Sequence, residues 1–156
     1  MSQSPERLRP NLSLDGAFFD LLTTSYARLT GKPLAPAGKT AAWLYEEASF
    51  AVLAHNTDAD PRFVYANRTA QACFEYGWDE IVTLPSRLSA EAPDRAERQR
   101  LMEAVARNGF IADYSGVRVA KSGRRFRIEN GVVWQLFDEA GTLHGQAATF
   151  SSWPDV

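Results

Sequence analysis

The chain has 156 residues, 45% of them hydrophobic, which suits one domain with a substantial core and not a disordered composition. A formal charge of −2 argues against nucleic-acid binding driven by net positive charge, and the single cysteine, Cys73, excludes an intramolecular disulfide and a cysteine-based zinc cluster. No apolar run approaches the roughly 18 residues of a membrane span, and MSQSPERLRP lacks the apolar stretch of a secretory signal, so the expected location is cytoplasmic.

Residues 1–13 read as a flexible arm, polar and containing two prolines. Asp15 then caps an amphipathic helix over GAFFDLLTTSYARL, where Phe18, Phe19, Leu22, Tyr26 and Leu29 recur at helical spacing before a stop at Gly31. After the connector GKPLAPAGK, Thr40 opens the short helix AAWLYEE, completing an N-terminal helical segment over residues 14–48. Two strands follow, FAVLAH and RFVYAN, joined by the turn NTDADP.

Asn67 is placed to cap RTAQACFEYG, with Ala70, Cys73 and Phe74 on one face and Gly77 at the end. Asp79 caps a further helical turn that stops at Pro85. Asp94 opens RAERQRLMEAVARNG, whose expected buried stripe is Leu101, Met102, Val105 and Ala106. From Phe110 onward the pattern is that of strands: FIADYSGVRVAK, RRFRIENGVVWQLFD and LHGQAATFSSW, turning at Ser122-Gly123 and at Asp138 to Gly141.

Separated strand runs with a helical insert indicate an α+β fold over a wound parallel sheet. The expected architecture is PAS-like: a five-stranded antiparallel sheet with helices on one face, formed by residues 49–153, and an N-terminal amphipathic helix.

The segments LLTTSYARLTGKPL, FAVLAHNTDADPRFVYANRTAQACFEYGWDE, LPSRLSAE, NGFIADYSGVRVAKSGRRFRIENGVVWQL and GQAATFSSW carry a more specific likeness. In them the chain resembles the MEKHLA family, a PAS-like domain found in bacterial proteins and at the C-terminus of plant class III homeodomain–leucine zipper factors. The resemblance covers most of the chain after about residue 18. It implies the fold and a role in sensing or protein association, and it brings no established ligand or catalytic residue.

Cofactor-bearing PAS relatives set two comparisons. Light-sensing flavin domains place a reactive cysteine in a short motif after the first helix, whereas Cys73 falls within that helix and the motif is absent. Haem sensors need an axial ligand, and the two histidines, His55 and His144, fall on strands. Neither flavin nor haem is therefore expected, and no metal site. No nucleophile–base pair is legible, Asp58 and Asp60 lack calcium-loop spacing, and SGRRFR is no phosphate loop, so no catalytic residue is assigned.

A two-residue turn at Ser122-Gly123 would set Val119 opposite Phe126, Arg118 opposite Arg127 and Val117 opposite Ile128. Val117, Val119, Phe126, Ile128, Val132 and Trp134 would then share the apolar side. Arg118, Arg125, Arg127, Glu129 and Tyr114 would share the other. That arginine face reads either as a solvated Arg–Glu ladder or as a contact for the N-terminal helix, a second subunit or an anion.

Candidate pocket residues are Tyr65, Phe74, Trp78, Val117, Phe126, Ile128 and Trp134, with Asn67, Gln146 and Thr149 as converging polar groups. Interface candidates are Phe18, Phe19, Leu22 and Tyr26 with the arginine face. The expectation is a non-enzymatic sensory or protein-interaction module. It would bind a small molecule in its core, associate as a homodimer and signal through a separate output protein, with no membrane and no direct nucleic-acid contact. A small α+β-barrel enzyme with a pocket acid/base pair and a ligand-free scaffold are the alternatives.

Overall fold

The computed structural model describes residues 11–90 and 92–156, without the side chains of residues 92–94. Most of the expected arm and the Asp94 cap therefore lie outside the described residues. Helix α1, Gly16–Thr30, starts where Asp15 Oδ2 accepts the Phe18 amide at 3.1 Å and ends at Gly31, which takes the left-handed φ of 73°. Thr40 caps α2, Ala41–Glu46, in the same way. Strands β1, Ala51–His55, and β2, Phe63–Ala66, are followed by α3, Arg68–Phe74, capped by Asn67.

Helix α3 stops earlier than the Gly77 expected from the sequence. Glu75 takes the left-handed turn at φ 65°, and its carboxylate accepts the Ser122 amide and Arg124 Nε, both at 3.0 Å. Those bonds from the distant hairpin hold a conformation that glycine would otherwise supply. Gly77 instead precedes α4, Trp78–Ile81, and its amide donates to Glu80 Oε1 at 2.9 Å, so Asp79 lies inside the first turn rather than at the cap. A 3₁₀ turn, Ser86–Ser89, leads to α5, Ala92–Asn108. On α5, Val105 is buried and Leu101 and Met102 half-buried, but Ala106 is exposed and Arg98 takes the remaining inward position.

Strands β3, Phe110–Val119, β4, Arg125–Phe137, and β5, Leu143–Phe150, complete one antiparallel sheet of order β2-β1-β5-β4-β3. The sheet has two buried sides. One cluster unites Phe18 and Leu22 of α1 and Leu44 and Tyr45 of α2 with Val52, Ala54, Tyr65, Trp134 and Leu136. The other unites Ala70, Cys73 and Phe74 of α3 with Leu53, Phe63, Phe126, Ile128 and Phe150. The segments read separately as 14–48 and 49–153 thus share one hydrophobic cluster.

The β3–β4 hairpin differs from its expected register by one residue. Ala120 N donates to Arg124 O and Gly123 N to Ala120 O, both at 2.9 Å, with Gly123 at φ 92°. This is a three-residue loop with a left-handed third residue, not a two-residue turn. Arg118 therefore pairs with Phe126, Val117 with Arg127 and Val119 with Arg125, and the expected Arg118–Arg127 pair does not form. With a side-chain period of two, the slip exchanges the faces of β3.

A second correction lies farther along. Asn130 and Asp113, at φ 53° and 58°, each insert an extra residue into one strand, and the ladder resumes at Ile111–Val133. The insertion turns Val133 and Gln135 inward, leaving Val132 and Trp134 on the outer side with α1.

Candidate functional site

The inner side of the sheet meets α5 and the 3₁₀ turn around a cavity of about 70 Å³. Its wall is largely apolar: Leu53, Phe63 and Phe74 on one side, Ile128, Val133 and Phe150 on the other, with Leu101 and Met102 from α5. Into it come Arg98, Arg118, His55, Tyr114, Gln146, Ser86 and Ser89.

Both arginines are delivered by regular structure. Arg98 stands one turn before Leu101 and Met102 and two before Val105, on the stripe that packs against the sheet. Arg118 follows Tyr114 and Gly116 on the inner side of β3. A Cβ on Gly116 would lie 2.1 Å from the Tyr114 hydroxyl, so the missing side chain lets the Tyr114 ring lie along the strand. Arg118 then stacks its guanidinium 5.4 Å from the centre of that ring and donates to Val117 O at 3.1 Å. Arg98 donates to Ser86 Oγ, and Ser89 Oγ donates to Ser86 O at 2.7 Å, which fixes the 3₁₀ turn beneath it.

Each arginine is only 8% exposed, and among the described residues neither forms an ion pair with a carboxylate. Burial, followed by the nearby charge of Arg118, pulls Arg98 down to about 10. The same burial lowers His55, opposed by its bond to Asn56 O and reinforced by Arg98. His55 Nδ1 lies 3.0 Å from that carbonyl, so the neutral ring donates there and leaves Nε2 as an acceptor. Gln146 sends Nε2 to Met102 O at 3.3 Å, and its Oε1 is buried with no donor among the described residues. Tyr114 is raised chiefly by burial and stays a neutral phenol.

Of the expected pocket residues, the cavity gathers Phe74, Ile128 and Gln146. Phe126 stands behind Phe74, ring centres 5.1 Å apart. Val117 is on the outer side of β3, opposite Arg127. Tyr65 and Trp134 belong to the outer cluster, with Trp78 packed against it, and Thr149 Oγ1 donates to Ala51 O at 2.9 Å. Asn67 is fully enclosed and satisfied: Oδ1 accepts the Val52 and Ala70 amides, and Nδ2 donates to Leu44 O and Phe50 O. It joins α2, β1 and α3, away from the cavity.

Sequence reasoning missed Arg98, Ser86 and Ser89, put Tyr114 and Arg118 on the wrong side, and weighed His55 only against haem. One signal existed for Arg98: it falls in step with the apolar positions of its helix. Among the interface candidates, Phe18 and Leu22 are buried on the chain's own sheet, and Phe19 and Tyr26 are half-buried, Tyr26 edge-on to Trp134 at 4.9 Å. Arg125 and Arg127 are exposed, while Glu129 accepts from Ser152 Oγ at 3.0 Å. Arg124 ties the hairpin to Glu75 and, at 2.6 Å, to Asp155.

A flavin does not fit this interior. The cavity is far below the several hundred Å³ of pockets for larger ligands. Cys73 is not on its wall; the thiol is packed in the inner cluster, and burial pushes it up to about 12, opposed by Arg124. Among the described residues no group of three His, Cys, Asp or Glu side chains is placed to hold a metal, and no helix is long and apolar enough to cross a membrane.

Solved structures share this arrangement. A PAS domain from Colwellia psychrerythraea superposes with a TM-score of 0.61 at 13% identity, over 74% of this chain and 92% of that one. The light-state dimer of the fungal blue-light photoreceptor Vivid gives 0.58 at 18% identity, over 90% and 98%. An RNA-binding light-oxygen-voltage receptor gives 0.62 at 21%, over 81% of this chain and 37% of the receptor. Identities this low speak to the fold. No curated protein matches the sequence. The fold is that of PAS domains, and with a family profile matching residues 17–155 the chain belongs to the MEKHLA domain family.

Proposed function

We propose that this domain is a sensory module that binds a small molecule in the cavity between the sheet and α5 and passes its occupancy to a partner protein. The supporting observation is the cavity itself, where polar groups from α5, β1, β3 and β5 converge on a mostly apolar wall. Among the described residues the cavity's serines bond Arg98 and Ser86 O and its histidine bonds Asn56 O, so no nucleophile–base pair is assembled, which favours binding over catalysis.

A route for the signal follows from β4. Val133 lines the cavity while its neighbour Trp134 packs under Tyr26 of α1, because successive strand residues face opposite ways. Ser25 of α1 also exchanges two hydrogen bonds with Phe137 of the same strand, at 2.9 and 3.1 Å. Displacement of β4 by a ligand would therefore move α1. The reading places the protein in the cytoplasm, acting on a separate output protein, as a pair of like chains. The light-state dimer formed by Vivid is a precedent for pairing on this fold. With Phe18 and Leu22 committed to their own sheet, pairing would use other surfaces.

Native mass spectrometry of freshly purified protein, with an absorption spectrum, tests the reading. A retained colourless small molecule supports it. A bare chain together with a dry crystallographic core would replace it with a ligand-free scaffold. Light scattering across the working concentration range checks pairing, and a monomer throughout would remove that part.

A further inference from the structure

We propose that the cavity holds a small organic carboxylate, its anionic head between Arg98 and Arg118 and its short carbon chain among Leu53, Phe63, Ile128 and Val133. This rests on the sensory reading and names the ligand class for the same site.

Arginine is almost never fully buried unless paired, because stripping water from a cation is costly. Here two are buried on one cavity, each 8% exposed, and among the described residues neither has a carboxylate partner. Ser86 Oγ and Val117 O each accept one donor, whereas a guanidinium presents five. Two like charges facing one small space also repel, and Arg98 is lowered first by burial and then by Arg118, with Tyr114 and Asp60 acting the other way. An oxyanion supplies what is missing, since both its oxygens can accept from the forks. Glu97, on the same helix, is exposed and does not line the cavity.

The rest of the wall decides between oxyanions. Inorganic phosphate would leave oxygens against Leu53, Phe63 and Ile128 with no donors, a costly desolvation. A carboxylate turns carbon toward that surface. At about 70 Å³ the space equals about five to seven water-sized spheres, which suits carboxylates of about two to four carbons. Gln146 Oε1, buried on the same wall without a donor among the described residues, is a receiver for a ligand hydroxyl.

The test uses the full chain, freed of small anions by dialysis, in calorimetric and thermal-shift titrations with propionate, butyrate and lactate. Butyramide is the uncharged control and inorganic phosphate the control without carbon. The expected result is saturable binding of at least one carboxylate, with no response to butyramide and a clearly weaker one to phosphate. Arg98→Met and Arg118→Met, checked for fold by circular dichroism, should weaken binding about ten- to a hundredfold. Arg118→Lys keeps the charge without the fork and should fall between, providing a readout if a methionine variant does not fold.

No response to any of the three carboxylates, an equal response to butyramide or phosphate, or undiminished binding by folded Arg118→Met would overturn the proposal. A neutral molecule retained in native mass spectrometry would overturn it while leaving the sensory reading standing. An empty chain that also ignores every titrant would overturn both.

Discussion

Arg118 of β3 stands opposite Phe126 of β4, on the buried side of the sheet, and not opposite Arg127, which is exposed on the other side. Gly123 sets this relationship as the left-handed third residue of the hairpin loop. Gly123→Ala keeps open space around the new methyl group but strains the backbone at φ 92°. It should cost about 1 kcal/mol by urea denaturation. Arg127→Glu should stay within about 0.5 kcal/mol of wild type. A large loss in Arg127→Glu would mean that this arginine is engaged in assembly.

Arg118→Met should make the anion-free protein more stable, by about 1 kcal/mol, since it replaces a buried cation that has no acidic partner among the described residues with an apolar chain of similar length. Urea midpoints in carboxylate-free buffer measure this. A clear loss of stability would show that Arg118 serves the fold rather than a ligand.

The element order and most boundaries were legible because they depend on local chemistry. Asp15, Thr40 and Asn67 all cap the helices assigned to them. The faces of the sheet were not legible, because each depends on a single residue of register. SG can close a two-residue or a three-residue loop, and that choice exchanges Val117 with Arg118. Asn130-Gly131 reads as ordinary strand until the insertion opposite Asp113 is seen, and it carries Trp134 from one core to the other. The cavity was hidden for a related reason. Its distinguishing groups are charged residues, which a search for apolar stripes discards, so Arg98 was passed over between Leu101 and the start of its helix.

Gly145 has a stricter requirement than the turn glycines. A Cβ there would lie 1.9 Å from His55 O, a backbone atom of the neighbouring strand, and φ is 146°. Relief requires β1 and β5 to separate beside Gln146 and His55. Gly145→Ala should therefore cost about 3 kcal/mol or more, or fail to fold, measured by denaturant unfolding. A near-neutral effect would mean the strands are not so close.

Asn67→Ala removes four hydrogen bonds at once, three buried and the one to Phe50 O partly buried, and leaves the amides of Val52 and Ala70 and the carbonyls of Leu44 and Phe50 without that partner. The expected loss is about 3 kcal/mol or more, since orphaned buried groups cost more than the bonds contributed. Asn67→Asp should also be destabilising, because the carboxylate can accept the two amides but cannot donate to the carbonyls. If Asn67→Asp matches wild type in urea, the donation to Leu44 and Phe50 is unimportant.

His55 gives the domain a pH dependence whose sign is fixed. Burial holds it below its ordinary value of about 6.5, with Arg98 acting in the same direction and the Asn56 carbonyl against both. As pH falls through 6.5, the unfolded chain takes up a proton that the folded chain refuses, so the unfolded state gains and stability declines toward the folded value. The carboxylates of Glu75, Glu80 and Asp138 are held low by hydrogen bonds from Ser122, Gly77 and His144 respectively, so their contribution persists above their ordinary range and is lost only at lower pH. Urea unfolding should thus show wild type losing stability between about pH 7 and pH 5, with a flatter profile for His55→Gln. Bound carboxylate near Arg98 would favour the protonated ring, bring the folded value closer to the unfolded one and so shrink that loss. The same series in saturating butyrate reports whether His55 and the ligand head share one field, and an unchanged profile would place the ligand away from His55.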